Sequence, residues 1–313
     1  MLLMKQSIKK LRKTTSSIEK LILRLVYKYK KQYFYYESYN LFKNYPATPK
    51  IIGYQLNKNT ALGKKGDIIY LPPDLENSWG IINSGEISYP YKDLITQYTQ
   101  SNQDYIFIDI GANVGLVTKE LINKNLNIDS FICVEPIEHI YSCLKLNIKE
   151  HSNVFTYNFG LGNKDSEQDM YTDPSNHGNS SLLKSMMVKN KYHSYDTSKV
   201  SIKSVEYFFE LIKDKIENKR LIIKIDVQGY DELILSLIPN SIIEMTDLLI
   251  YELSLDKEYY NPDFNLELYK DKVQKFTGFK SKNNIIKSYD DLIKITSTRN
   301  NGRRFESDIY LYK

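Results

Sequence analysis

Cysteine is scarce, with Cys133 and Cys143 the whole complement. They form no CxxC pair and have no histidines at ligand spacing, which excludes a disulfide scaffold and argues against a metal knuckle. We expect both to be reduced, buried thiols of a cytoplasmic protein. At 313 residues the chain can bury a sizeable core without such staples. Long apolar runs are also missing. Near the start, Leu21-Ile22-Leu23 is broken by Arg24, far short of the roughly 20 residues that a membrane span requires. No secretory signal is expected, because the basic residues precede no continuous apolar core with small residues at a cleavage site. There is no internal repeat, and His139, His151 and His193 show no spacing that suggests a metal.

Charge is present but unevenly placed. The net charge is +5. Residues 1–36 hold eight Lys and two Arg against Glu19, a net of +9, which leaves 33 basic against 37 acidic residues, or −4, on the rest of the chain. Within this segment Ile8, Leu11, Ile18, Leu21, Ile22, Leu25, Val26 and Tyr29 recur largely at helical spacings among lysines. We expect a basic amphipathic helix over residues 1–40. Three roles fit it: packing on the body, docking on an anionic membrane face or a membrane-bound partner, or sequence-independent attraction to nucleic acid. The acidic body disfavours nucleic acid.

Residues 41–103 contain short β-like pieces, "IIGYQL", "GDIIYLPP" and "WGIINSGEI", parted by turn signals. They predict a small β-rich cover, with Pro72 and Pro73 cutting any continuous strand. From residue 104 onward strands and helices alternate. "YIFIDI", "SFICVEP", "NVFTYNFGLG", "VSIKSV", "RLIIKIDVQG", "DLLIYELS" and "SDIYLYK" read as strands, with an irregular polar stretch from 163 to 199. Near-continuous apolar strands interleaved with helices predict an α/β, doubly wound, mostly parallel sheet whose ligands lie beyond the strands' carboxyl ends.

The first of these strands runs into "DIGANVG", a G-x-N-x-G formed by Gly111, Asn113 and Gly115. A dinucleotide fingerprint needs G-x-G-x-x-G, and a P-loop needs G-K-[ST], so neither a pyrophosphate cradle nor an NTP site is expected. What remains is a tight turn beside Asp109, where a carboxylate can attract a cation. Glu135, 26 residues further on at the next strand tip, can accept hydrogen bonds from ribose hydroxyls. A ribose with a positive amino-acid end and no phosphate fits this set, and S-adenosylmethionine has those features. Lys224, Asp226 and Glu252 fall at the carboxyl ends of later strands and should face the same crevice. A hydroxyl nucleophile needs a proton acceptor. Asp226 is the first candidate base and Glu252 the second, with Lys224 orienting the acceptor or stabilising negative charge. The alternative for this trio is an ion-pair network locking two strand tips. His177, in "DPSNHGNSSLLK" of the polar insertion, is a further candidate base on a loop suited to closing over a ligand. Gly160 is expected either beside an adenine ring or as an ordinary turn glycine.

"FIDIGANVG", "CVEP", "NFGLGN", "NHGNSSL", "IIKIDVQGYD" and "IYELS" occur in an order that resembles the FkbM family of S-adenosylmethionine-dependent O-methyltransferases, over roughly residues 100 to 255. The resemblance implies a class I methyltransferase-like (Rossmann-like) domain over 104–313, with seven strands and a final antiparallel strand, "SDIYLYK". It also implies S-adenosylmethionine as cofactor, with Asp109, Gly111, Asn113, Gly115, Glu135, Pro136 and Gly160 around it, no metal, and a hydroxyl of a saccharide or glycan as acceptor. The family commonly reads K-x-D-x-E-G where this chain has "KIDVQG", so Gln228 stands in place of an acid. Within these limits two other readings remain: an RNA ribose 2′-O-methyltransferase, and a cofactor-binding but inactive module, which Gln228 would favour.

Overall fold

The computed structural model describes residues 51–56, 58–72, 89, 91–100, 103–173, 176–189, 195–256, 261–298 and 305–313. The expected basic helix, and residues 73–88 of the expected cover, lie outside them. The chain begins its described course with β1 (Ile52–Gln55) and β2 (Ile68–Leu71), an antiparallel pair, and then α1 (Lys92–Thr99). The alternating body follows: β3 (Tyr105–Ile110), α2 (Leu116–Asn123), β4 (Ile128–Val134), α3 (Glu138–Ile148) and β5 (Val154–Tyr157). An insertion carries β6 (Gly160–Gly162), β7 (Ser166–Thr172), α4 (Lys184–Lys189) and β8 (Asp196–Ser204). The second half runs α5 (Val205–Leu211), α6 (Lys213–Ile216), β9 (Arg220–Ile225), α7 (Asp231–Leu237), α8 (Asn240–Met245), β10 (Thr246–Ser254), α9 (Leu266–Val273), β11 (Gly278–Ser281), α10 (Tyr289–Thr296) and β12 (Glu306–Tyr312).

Seven strands form the main sheet in the order β11-β12-β10-β9-β3-β4-β5. From β10 to β5 every neighbouring pair is parallel, and β12 runs antiparallel to both of its neighbours. This is the expected doubly wound, Rossmann-like arrangement with "SDIYLYK" as the final antiparallel strand. The chain builds β3, β4 and β5 outward in one direction and returns to place β9 on the other side of β3. The crevice therefore opens between the carboxyl ends of β3 and β9, where strand order reverses.

Two strand assignments differ from expectation. "VSIKSV" does not join the main sheet. It belongs to β8, which pairs with β6 and β7 in a separate three-stranded sheet. The stretch from 163 to 199 is likewise not irregular throughout, since Ser166–Thr172 pairs antiparallel with Asp196–Ser204. The strand β7, "SEQDMYT", is mostly polar because one side of this small sheet faces solvent, and polarity alone had read as loop.

Side-chain alternation explains both the core and the crevice. On one face of the main sheet Ile106, Ile108, Ile223, Leu249 and Ile309 pack with Phe208, Ile234 and Leu292. On the other, Phe107, Ile222, Ile250 and Tyr310 pack with Ile95 of α1 and Leu121 of α2. Stepping two residues along each strand of this second face toward the crevice turns Phe107 into Asp109, Ile222 into Lys224, Ile250 into Glu252 and Tyr310 into Asp308. The register sets Lys224 opposite Asp109 and Glu252 opposite Asp308. Four apolar rows thus become one charged edge.

The β1–β2 hairpin is held to this body by Asn147 of α3. Its Oδ1 accepts the Tyr70 N–H at 2.7 Å, and its Nδ2 donates to the carbonyls of Tyr70 and Val114, both at 2.8 Å. One buried amide thereby ties the hairpin to the turn that follows β3. Replacing Asn147 with Leu leaves these backbone groups without partners, at about 1 kcal/mol or more each. We expect a loss of about 3 kcal/mol in urea unfolding and faster proteolytic cleavage between β1 and β2. Stability equal to wild type would show that the hairpin is held otherwise.

Candidate active site

The turn between β3 and α2 has left-handed backbone at Gly111, Asn113 and Gly115, with φ of +78°, +50° and +77°. Gly111 is required twice over, because its φ disfavours a side chain and because a Cβ there would collide with the carbonyl oxygen of Asp226. Every backbone N–H from 111 to 115 is already engaged. Gly111 and Ala112 donate to the Val134 carbonyl at 3.0 and 2.9 Å, and Gly115 donates to Ala112 at 2.9 Å. Asn113 donates to Glu135 Oε2 at 3.1 Å, and Val114 to Asn113 Oδ1 at 2.7 Å. A pyrophosphate would need these donors free and would meet the Glu135 carboxylate instead. The turn is therefore unsuited to a dinucleotide, in line with its glycine spacing.

Glu135 is buried immediately beyond β4. Each of its oxygens accepts one backbone N–H, from Asn113 and, at 2.9 Å, from Ile137. A carboxylate has about four acceptor positions, so capacity for two hydroxyl donors remains. Burial raises its pKa to about 7, against the lowering effect of those two N–H groups. The amide of Asn158, in "NFGLGN", holds this strand exit by donating to the carbonyls of Glu135 and Pro136 at 3.0 and 3.2 Å. The residues that present a diol acceptor thus fit a ribose without phosphate.

Asp109 is placed differently from expectation. It lies within β3 with no exposure, and its carboxylate accepts from Lys224 Nζ at 3.0 Å and from Thr118 Oγ1 at 3.2 Å. It is sealed beneath the turn, and the cation it attracts is the chain's own. Lys224 also donates to the Gly111 carbonyl at 3.3 Å and lies 3.5 Å from Asp226 Oδ2. Burial opposes its charge, but the carboxylates of Asp109 and Asp226 outweigh burial and hold its pKa well above the usual lysine value. Lys224 is therefore a locked cation joining the two strand tips. This is the ion-pair alternative for Lys224, while Asp226 keeps 46% of its side chain exposed.

Asp226 and Glu252 do meet in the crevice. The Gln228 amide nitrogen donates to Asp226 Oδ1 at 3.2 Å and to Glu252 Oε2 at 3.0 Å. Burial, followed by the charges of Asp226, Glu306 and Asp308, raises Glu252 to about 8, with the Gln228 hydrogen bond acting in the opposite sense. A carboxylate with that proton affinity accepts a proton readily near neutral pH.

Two further sequence candidates belong to the insertion. His177 is buried in a 3₁₀ turn with its ring 5.1 Å from that of His139 at the start of α3. Gly160 belongs to β6, where an added Cβ would come within 2.7 Å of Ile202 Cδ1 and 3.6 Å of Pro136 Cβ. The small residue there makes room for Ile202 and sets Pro136 against β6. Tyr91, Asp231, Glu306 and Asp308 escaped sequence reading. Tyr91 is buried close enough to Lys224 and Asp226 to feel both charges. Asp308 was findable as the acid two residues before the apolar end of the last strand. Among the described residues no group of His, Cys, Asp and Glu is arranged to hold a metal ion, and no helix is long and apolar enough to cross a membrane. Cys133 and Cys143 are buried, and neither forms a disulfide among the described residues.

The sequence model of the methyltransferase FkbM domain matches residues 109–272. No curated protein matches the chain. Among solved structures, the methyltransferase FkbM of Methylobacillus flagellatus is 12% identical at a TM-score of 0.37, over 75% of this chain and 52% of its own. The chain thus spans about half the length of that protein. A putative RNA methyltransferase of Pyrococcus horikoshii is 12% identical at a TM-score of 0.29, covering 66% of this chain and 74% of its own. A putative tRNA methyltransferase of Streptococcus pneumoniae is 10% identical at a TM-score of 0.28, covering 72% and 71%.

Two outcomes follow from the charges. The folded pKa of Glu252, about 8, exceeds its ordinary value of 4.5. Its contribution to stability is then present below about pH 4.5 and is lost as pH rises toward about 8. Glu252→Gln should be more stable than wild type by several kcal/mol, up to about 5, near pH 9 and equal to it near pH 4, as read from urea midpoints. Equal midpoints at both pH values would refute the assignment. Lys224→Met strands a buried Asp109 charge and should cost about 3–5 kcal/mol, much of it recovered by adding Asp109→Asn. Failure of the double variant to recover would show that Lys224 acts other than through Asp109.

Proposed function

The chain belongs to the FkbM methyltransferase family, and from that premise we propose that it is an S-adenosylmethionine-dependent O-methyltransferase whose acceptor is a hydroxyl of a saccharide or glycan precursor. The observation that carries this reading is the juxtaposition of two sites. A phosphate-averse turn beyond β3 has a diol-accepting carboxylate, Glu135, at the tip of β4 on one side and a proton-accepting pair, Asp226 beyond β9 and Glu252 on β10, on the other.

When bound, the cofactor supplies an electrophilic methyl group on a sulfonium. Glu135 receives the ribose hydroxyls, and the left-handed turn at 111–115 lets the ligand lie against backbone. Lys224 cannot serve as a mobile acid, since its proton is held between Asp109, Asp226 and the Gly111 carbonyl. Its part is to fix the tip of β9 beside the turn, so that Asp226 and Glu252 stand where an acceptor oxygen must be aligned. Glu252 is placed to take the proton of an acceptor hydroxyl, and the bound cofactor would supply the methyl group and leave as its neutral thioether. Asp226, exposed beside it, receives a second hydroxyl of a polyol acceptor. The glutamine at 228 does not remove the base, because two carboxylates remain within reach of its amide. Residues 1–36, with their net charge of +9, belong to this proposal as a contact with an anionic membrane face where such glycans are built.

Calorimetry with S-adenosylmethionine and with its thioether product tests the first half. We expect saturable binding to both, weakened about tenfold or more in Glu135→Ala. Transfer of labelled methyl to glycan acceptors tests the second half. Glu252→Gln should lower turnover by about 10²–10⁴ with cofactor affinity unchanged, and Asp226→Asn by less. No heat with either compound would sink the proposal.

A further inference from the structure

Gln228 has no part in the chemistry above, yet more of the structure is arranged around it than around either acid. It occupies the loop between β9 and α7 with φ of +50°, a region that glutamine seldom adopts, and Gly229 follows at +95°. Three bonds hold this backbone. The Ser181 hydroxyl, from the insertion, donates to the Gln228 carbonyl at 2.6 Å. The buried carboxyl of Asp231 accepts the N–H of Val227 at 3.4 Å and of Gly229 at 3.2 Å. The consequence is the direction of the side chain. A primary amide has two hydrogens, and Gln228 directs its nitrogen to a different carboxylate on each side, Asp226 at 3.2 Å and Glu252 at 3.0 Å.

We propose that Gln228 is a positioning residue of the proton-accepting site, its carboxamide clamping Asp226 and Glu252 as a pair and fixing the orientation of the base. The proposal rests on Glu252 being the group that takes the acceptor's proton. Its neighbours show why a neutral donor is needed. Asp226 faces Glu252 from the same loop, Asp231 from the start of α7, and Glu306 and Asp308 from β12. Lys282 lies 3.7 Å from Asp308 with its side chain 60% exposed, and Lys224 is committed to Asp109. Carboxylates crowded in this way favour protonation, and a hydrogen bond from an uncharged amide favours the ionised form without adding charge. A glutamate at 228 would add one more like charge to the crowd. Glutamine at this position is then a means of keeping Glu252 usable as a base, and not a sign of a lost activity.

The experiment uses the full-length chain with ¹³C-labelled glutamate carboxyls, without cofactor or acceptor. The carboxyl resonances are titrated from about pH 5 to about pH 10, and Glu252 is identified by its absence from Glu252→Gln. Gln228→Gly suits the left-handed backbone and removes only the amide, so it is expected to fold. Its Glu252 midpoint should rise by about one pH unit, and that of Gln228→Glu by more. Midpoints equal to wild type in both variants, with unchanged circular dichroism, overturn the proposal. Because no methyl donor enters this measurement, a failure of methyl transfer would count against the proposed reaction and leave the clamp to be judged on the titration alone.

Discussion

The ammonium of Lys224 is the point on which this architecture closes. It lies between the buried carboxylate of Asp109 on one strand and the exposed carboxylate of Asp226 beyond the next, and it also reaches the carbonyl of Gly111. An isolated charge at that depth would be prohibitive, and two carboxylates with a carbonyl make it tolerable. Holding the tips of β3 and β9 together in this way forces the Gly111 turn against the Asp226 carbonyl, which only a residue without Cβ permits. From that contact follow the left-handed turn, the engagement of its N–H groups, and the presentation of Glu135 at the neighbouring tip.

The rest of the crevice follows from the pleat. Rows that are apolar in the middle of the sheet become Asp109, Lys224, Glu252 and Asp308 at one edge, because residues two apart share a face. Charges at the end of a sheet are neither fully wet nor fully dry. Lys224 and Asp109 neutralise each other in the dry part. Glu252, buried and set opposite Asp308 near Asp226 and Glu306, has no ion-pair partner among the described residues and holds a proton more firmly through burial and those charges. A site that must accept a proton from a weakly acidic hydroxyl gains from this arrangement, provided that something uncharged steadies it. The amide of Gln228 occupies that position, carried by a loop that Ser181 of the insertion and Asp231 of α7 hold in an unusual backbone conformation.

Much of this was legible before any coordinates. Continuous apolar runs alternating with helical segments indicated a parallel sheet covered on both faces, and the final strand read as antiparallel from the family resemblance. The spacing of Gly111, Asn113 and Gly115 argued against a pyrophosphate, and the hydrogen bonds of the turn supply the reason. Asp109, near the end of an apolar strand, reads as a carboxylate that can attract a ligand's cation. Its burial depends on a lysine 115 residues away, which no local pattern records. Gly160 reads as a ligand contact or an ordinary turn glycine, and the space beside it holds Ile202 and Pro136. The strand β7 of the insertion, Ser166–Thr172, reads as loop because its polar alternation, typical of a sheet wetted on one side, resembles loop composition.

The amino-acid order by itself determined the succession of elements, the turn chemistry at 111–115 and the supply of acids at the strand ends, since these depend on neighbours within a few residues. Tertiary structure alone decided which acid would be neutralised by Lys224, which would be left crowded by others, and that a glutamine amide would bridge Asp226 and Glu252. Pairings of that kind depend on strand order and register, which bring together positions more than a hundred residues apart, and electrostatic energy depends on those distances and on burial.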